Sequence, residues 1–123
     1  MINCNDFISS AQFRPEDKLT EIDYRNSASR AYYGAYHACT QLACHFELLN
    51  EEPNHAIVIK ALRNSDNKNH KELSTLLHQC KVKRQNADYR LQRTFTPQEA
   101  KKQLRTTKAI IRQVESELAE KIA

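Results

Sequence analysis

Glycine is almost missing from this chain: Gly34 is the single one among 123 residues. That scarcity excludes the Gly-rich phosphate loops of dinucleotide and P-loop sites, and it deprives an all-β fold of its usual turn residues. Tryptophan is absent and proline occurs three times. No run approaches the roughly 20 apolar residues that a membrane span needs, so no membrane association is expected. The first residues, MINCNDFISSAQFRPED, lack the basic stretch and apolar core of a secretion signal. The four cysteines (Cys4, Cys39, Cys44, Cys80) contain no Cys-x-x-Cys pair and are expected as free thiols in a cytoplasmic protein. His37, Gln41, Cys44 and His45 fall on neighbouring positions of one helix. Packed small polar residues account for them, and neither metal nor cofactor is expected.

What the chain has is helical periodicity. Residues 1–123 are read as one domain, long enough to bury about two-thirds of the unfolded surface. Pro15, Pro53 and Pro97, with the polar run 64–69, separate five stretches of helical period. The first, 3–14, carries Phe7, Ile8, Ala11 and Phe13. The second, 20–49, has a regular seam of Tyr24, Ala28, Ala31, Ala35, Ala38, Leu42, His45 and Leu49. Tyr32, Tyr36, Cys39, Ala43 and Phe46 widen that seam for a second partner. A mostly alanine seam lets a neighbour approach closely, so this is the expected central helix, and Gly34 within it predicts a tight backbone contact.

A short third helix holds Ala56, Ile57, Ile59 and Leu62 after an Asn54 cap. The fourth, 71–93, has the seam Leu73, Leu77, Cys80, Arg84, Ala87 and Leu91. The fifth opens on Thr96-Pro-Gln-Glu99, a capping box with proline at the first helical position, and Phe95 is placed to staple onto Ala100. Its seam continues through Leu104, Thr107, Ile111, Val114 and Leu118. The expected fold is all-α: an antiparallel bundle of four main helices plus one short one.

The net charge of +4 is unevenly spread. Residues 1–62 carry five Lys/Arg against eight Asp/Glu, and residues 63–123 carry fourteen against seven. In the basic half, Lys101, Arg105, Lys108 and Arg112 form one stripe, and Lys83, Arg90 and Arg93, with Asn86, form another. Such stripes are either solvated outer faces or a surface for RNA or an acidic protein. No aromatics are interleaved with them, so stacking on single-stranded bases is not signalled.

Arg84 stands out because it lies on an apolar seam and cannot shed its charge; burial demands a carboxylate or phosphate partner. Asp88, one turn later, offers an ion pair within the bundle or at a dimer seam. The alternative is an arginine awaiting phosphate.

Three blocks carry a resemblance: DYRNSASRAYYGAYHA at 23–38, NHAIVIKAL at 54–62 and RQNADY at 84–89. In this order and spacing they look like the signature blocks of HEPN-domain proteins. The resemblance spans essentially the whole chain. It implies a helical bundle that commonly forms homodimers, with family roles in RNA-directed toxins, antiviral defence and partnership with minimal nucleotidyltransferases. Many members are metal-independent endoribonucleases whose motif is an arginine, a polar residue, a short spacer and a histidine. Arg84 and Gln85 match its start, but Asp88 stands where the histidine is expected. Cleavage through the ribose 2′-hydroxyl needs a base, an acid and a cation for the phosphorane, and Arg84 supplies only the cation. Tyr89 could donate a proton, although a tyrosine ordinarily titrates at about 10. A tyrosine two residues beyond the histidine can be modified in relatives paired with a nucleotidyltransferase; Tyr89 directly follows Asp88.

Arg30 to His37 and Arg63 to His70 also fit an Arg, six residues, His spacing. Arg63 to His70 crosses a loop. Arg30 and His37 share a face of the central helix with Tyr33 between them, which makes His37 either a replacement for the missing histidine or part of the packing. The expected centre is therefore Arg84, Asp88 and Tyr89, with His37, flanked by Lys83, Arg90, Arg93, Lys101, Arg105 and Lys108. Two functions follow: a HEPN protein acting on RNA as a metal-independent endoribonuclease in a toxin or defence setting, or a non-catalytic module binding RNA, a nucleotidyltransferase or another acidic partner.

Overall fold

The computed structural model describes residues 1–14 and 16–122, apart from the side chains of residues 121 and 122; Pro15, one of the expected breaks, lies outside them. Five helices follow in order: α1 Cys4–Ala11, α2 Glu21–His45, α3 His55–Arg63, α4 Lys68–Tyr89 and α5 Pro97–Ile122. No strand occurs among the described residues. The chain is all-α, in five helices as the periodicity predicts.

Local chemistry accounts for each start. Asn3 and Asp6 form a capping box at α1, and Thr20 and Asp23 do so at α2. Asn54 accepts from the Ile57 amide at 2.9 Å to open α3. At α5, Thr96 and Glu99 bond reciprocally, at 2.9 Å and 3.1 Å, as the sequence motif predicts. Asn67 caps α4 by accepting from the amides of Asn69 and His70, so this helix begins at Lys68 rather than at residue 71.

Three ends also differ from expectation. Helix α1 stops at Ala11, and Phe13 turns back to meet Tyr24 edge-on at 5.1 Å between ring centroids. Helix α2 stops at His45 rather than at residue 49. The Leu48 amide bonds to the Ala43 carbonyl at 2.9 Å and the Glu47 amide to the Cys44 carbonyl at 3.1 Å, with Glu47 at φ 56°. That is a Schellman turn with glutamate where glycine is usual. Helix α4 ends at Tyr89 rather than at residue 93, because Arg25 of α2 takes up the carbonyls at its C-terminal end.

Helix α2 packs against the other four helices. Its seam is buried from Ala28 to Leu42, together with Tyr32, Cys39 and Ala43. Ala56 is exposed and is not part of the core expected for α3; Val58, Ile59 and Leu62 supply it. Gly34 is the crossing point of α1 over α2: a Cβ there would lie 3.0 Å from the Cys4 carbonyl oxygen and 3.2 Å from Ile8 Cδ1. The N-terminal part of α2 lies beside the C-terminal end of α4, where Ser29 bonds Asp88 at 3.1 Å, while Phe46 meets His70 at 4.9 Å at the opposite ends. These two helices therefore run in opposite directions. Helices α4 and α5 do the same, joined by Asn69 to Glu117 at 2.7 Å and by Lys83 to Glu99 at 3.0 Å.

Candidate functional site around Arg84

The alanine seam of α2 decides what can approach it. Ala28 and Ala87 are both buried, so α4 comes close to α2 and its seam arginine is enclosed. Tyr32, Tyr33 and Tyr36 project from one region of α2 at spacings of one and four residues. The Asn54 cap sets His55 as the first residue of α3, against those rings. Three helices thus meet around the Arg84 guanidinium.

Arg84 is 7% exposed. Its guanidinium lies 5.4 Å from the Tyr32 ring centroid, 5.5 Å from that of Tyr33 and 5.9 Å from that of Tyr89. Nη1 is 3.6 Å from Asp88 Oδ2, near enough for an ion pair and too far for a hydrogen bond. Among the described residues the guanidinium makes no hydrogen bond, and its Nε is a buried donor without an acceptor. Arg25 is the internal comparison, at 4% exposure. Its Nε donates to Glu21 at 3.2 Å, its Nη1 to the Asn86 and Ala87 carbonyls at 3.2 Å and 2.8 Å, and its Nη2 to the carbonyls of Arg90 and Arg93. Two comparably buried arginines thus differ in hydrogen bonding, Arg84 having only its ion pair with Asp88. A buried donor left unpaired is costly, and a fixed fork of N–H groups fits a phosphate or carboxylate that arrives from outside.

Next to Arg84 is a second polar group. The Tyr32 hydroxyl and His55 Nδ1 are 2.7 Å apart. Burial pushes the Tyr32 phenol far above its ordinary value, although Arg84 pulls the other way, so the hydroxyl keeps its proton. His55 Nδ1 is the partner of that fully buried hydroxyl, which therefore donates to it and leaves the imidazole hydrogen on Nε2. Burial holds the His55 pKa below its ordinary 6.5, and the charges of Arg84, Lys81 and His37 push it the same way. His55 is thus neutral at pH 7, with Nε2–H as a donor. The site thus sets a neutral donor on α3 within the electrostatic reach of a buried cation on α4.

The sequence-derived site residues divide. Asp88 and Tyr89 do adjoin Arg84; Asp88 also accepts from Ser29 at 3.1 Å, and Tyr89 is exposed. His37 is exposed and sits against Phe7 at 5.1 Å and Tyr36 at 5.3 Å, over a cleft lined by Asn3, Cys4 and Gln41. Arg30 lines a separate cleft with Asp23 and Asn26. His70 is buried between Ser65 at 2.9 Å and Glu117 at 3.8 Å, remote in role from the exposed Arg63. Among the described residues no group of three His, Cys, Asp or Glu side chains is placed to hold a metal ion.

The basic residues divide too. Lys83 is tied to Glu99 at 3.0 Å and is no free cation. Arg90 and Arg93 are exposed and share a cleft with Tyr89 and Leu91. Lys101, Arg105 and Arg112 are exposed and Lys108 half-buried; no described carboxylate lies within 4.0 Å of any of them. Lys108 and Arg112 border α1, whereas Arg84 lies where α4 meets α2 and α3. His55 and Arg25 carried no assigned role in the sequence, and Tyr32 only a place on the α2 seam. Their signals were a histidine in the first turn after a helix cap and three tyrosines within five positions opposite a seam arginine. Comparison with family models, curated proteins and solved structures gives no significant match to this chain.

Proposed function

We propose that this chain is a HEPN-type helical bundle that acts on RNA in a toxin–antitoxin or antiviral defence setting, with Arg84 as the residue that takes the phosphate. The observation that carries the reading is the buried Arg84 guanidinium without a hydrogen bond, in a fold that satisfies the comparably buried Arg25 with five. The exposed cations Arg90 and Arg93 beside Tyr89 extend the same end of α4 with charge suited to a polyanion. As a metal-independent endoribonuclease, the protein would use Arg84 to stabilise the phosphorane during attack by the ribose 2′-hydroxyl. A homodimer would bring two such centres together, as the HEPN resemblance implies, in a cytoplasmic protein.

One observation favours the non-catalytic module. At the position expected for histidine, Asp88 is fixed by Ser29 and paired with Arg84, so it is a poor proton donor. Such a module would hold RNA, or dock a nucleotidyltransferase or another acidic protein, without cutting. Incubation of the purified chain with RNA in EDTA separates the readings. Cleavage that Arg84→Ala abolishes, with the helical circular dichroism retained, supports the nuclease. Arg84-dependent binding without cleavage supports the module. RNA neither bound nor cut refutes the proposal.

A further inference from the structure

His55 is oddly placed for a histidine of no purpose. It is the first residue of α3, where the helix dipole disfavours positive charge, and no acidic residue occupies that first turn. Its ring lies 4.4 Å from Tyr36, 5.4 Å from Tyr32 and 5.9 Å from Tyr33. The titratable groups facing it are Tyr32, Tyr33, Tyr36 and His37 from α2, and Lys81 and Arg84 from α4. None is a carboxylate. Two are permanent cations at neutral pH, and Tyr32 fixes the ring so that Nε2–H is the free donor. The amides of His55 and Ala56, at the start of α3, also donate to no described residue. Donors and positive charge therefore converge here, and the carboxylate at this centre is Asp88, 3.6 Å from Arg84 Nη1 and engaged by Ser29.

We propose that His55 and Arg84 form one phosphodiester-binding centre, in which Tyr32 orients His55 to donate Nε2–H to a phosphate oxygen and phosphate binding is coupled to proton uptake by the imidazole. The proposal rests on the reading of Arg84 as a phosphate-contacting residue and adds a second contact from another helix, together with a pH dependence. The coupling follows from charge. In the free protein a protonated His55 faces Arg84 and Lys81, with Asp88 paired to Arg84 rather than to the imidazole, and a bound phosphate monoanion reverses that balance. Protonation keeps Nε2–H in place and adds a hydrogen on Nδ1, which the Tyr32 oxygen accepts while its own hydrogen turns away from the imidazole. His55 is thus a binding and charge-compensating group rather than the base.

The test uses the full chain and a 2′-deoxy dinucleotide, whose single phosphodiester remains a monoanion from pH 5 to 8 and cannot be cleaved through a 2′-hydroxyl. Nitrogen-15 and proton spectra of the histidine rings are followed through a pH titration with and without the dinucleotide. The expected result is a rise of about one unit in the His55 pKa on saturation, and correspondingly about tenfold tighter binding at low pH than at pH 8. His55→Asn should bind weakly with no pH dependence, and His37→Gln should leave the dependence intact. Arg84-dependent binding with an unmoved His55 titration, or a pH dependence that survives His55→Asn, overturns this proposal and leaves the Arg84 reading standing. RNA binding through Arg84 without any binding of the dinucleotide does the same. Absence of binding to both RNA and dinucleotide overturns both.

Discussion

Replacing each buried arginine by methionine asks directly what that arginine does. In Arg25→Met, the Glu21 carboxylate and the carbonyls of Asn86, Ala87, Arg90 and Arg93 lose their donor at once. Charge-assisted hydrogen bonds contribute about 1.5–3 kcal/mol each, and Nη1 and Nη2 each serve two carbonyls, so the bonds do not add fully. Loss of one partner from a buried charged network costs about 3–5 kcal/mol, and we expect about 4 kcal/mol here. For a domain of this size that lowers Tm by roughly 15 °C. Arg84→Met loses no hydrogen bond. It forfeits cation–π attraction to Tyr32, Tyr33 and Tyr89, which runs from about 0.5 kcal/mol for the exposed Tyr89 to about 2 kcal/mol for a desolvated ring, but relieves the desolvation of a buried charge and leaves methionine against Tyr32 and Tyr33. Asp88 keeps Ser29 and part of its water. The expected change is within about 1 kcal/mol. Urea denaturation followed by circular dichroism measures both variants. Should Arg84→Met prove as damaging as Arg25→Met, Arg84 is an architectural residue and the functional argument built on its guanidinium without a hydrogen bond falls.

Other perturbations test the packing. Glu47→Gly should stabilise the chain by about 1 kcal/mol, because Glu47 occupies the left-handed region at φ 56°; a lower urea midpoint would contradict the Schellman assignment. Gly34→Ala gains about 1 kcal/mol of helix propensity but presses a methyl onto the Cys4 carbonyl and Ile8, an overpacking cost of about 1–3 kcal/mol. We expect a net loss with faster amide exchange in α1, and a stabilised protein would show that α1 yields freely. Burial lowers the His70 pKa from its ordinary 6.5 against the opposing pull of Glu117. The unfolded chain then binds the proton more readily, so this contribution is complete above about pH 6.5 and lost as pH falls below it. Stability should rise between pH 5 and 7, less steeply in His70→Gln. An unchanged slope in that variant would assign the effect elsewhere, His55 being the other histidine with a lowered pKa.

How much of this was legible beforehand depends on the range of the interactions involved. The alanine seam of α2, the Thr96–Glu99 box and the tight contact at Gly34 follow from local spacing, and the structure contains all three. The end of α2 was hidden because Glu47 takes the position at which glycine would have announced a stop. The end of α4 was hidden because its carbonyls are satisfied by Arg25, more than 60 residues away in the chain. At the candidate site, Arg84 was conspicuous as a charge on an apolar seam. His55 was not, since a search for arginine and histidine at a fixed spacing on one helix does not find a histidine brought in by another. Lys83 was indistinguishable from its exposed neighbours until Glu99 came beside it.

The most direct test of the central claim is the affinity of the full chain for single-stranded RNA as a function of salt, compared between wild type and Arg84→Met. If Arg84 contacts phosphate, the variant should keep its fold, bind at least tenfold more weakly and show a slope of log K against log salt shallower by about 0.7. A folded Arg84→Met protein with wild-type affinity and slope would contradict the account.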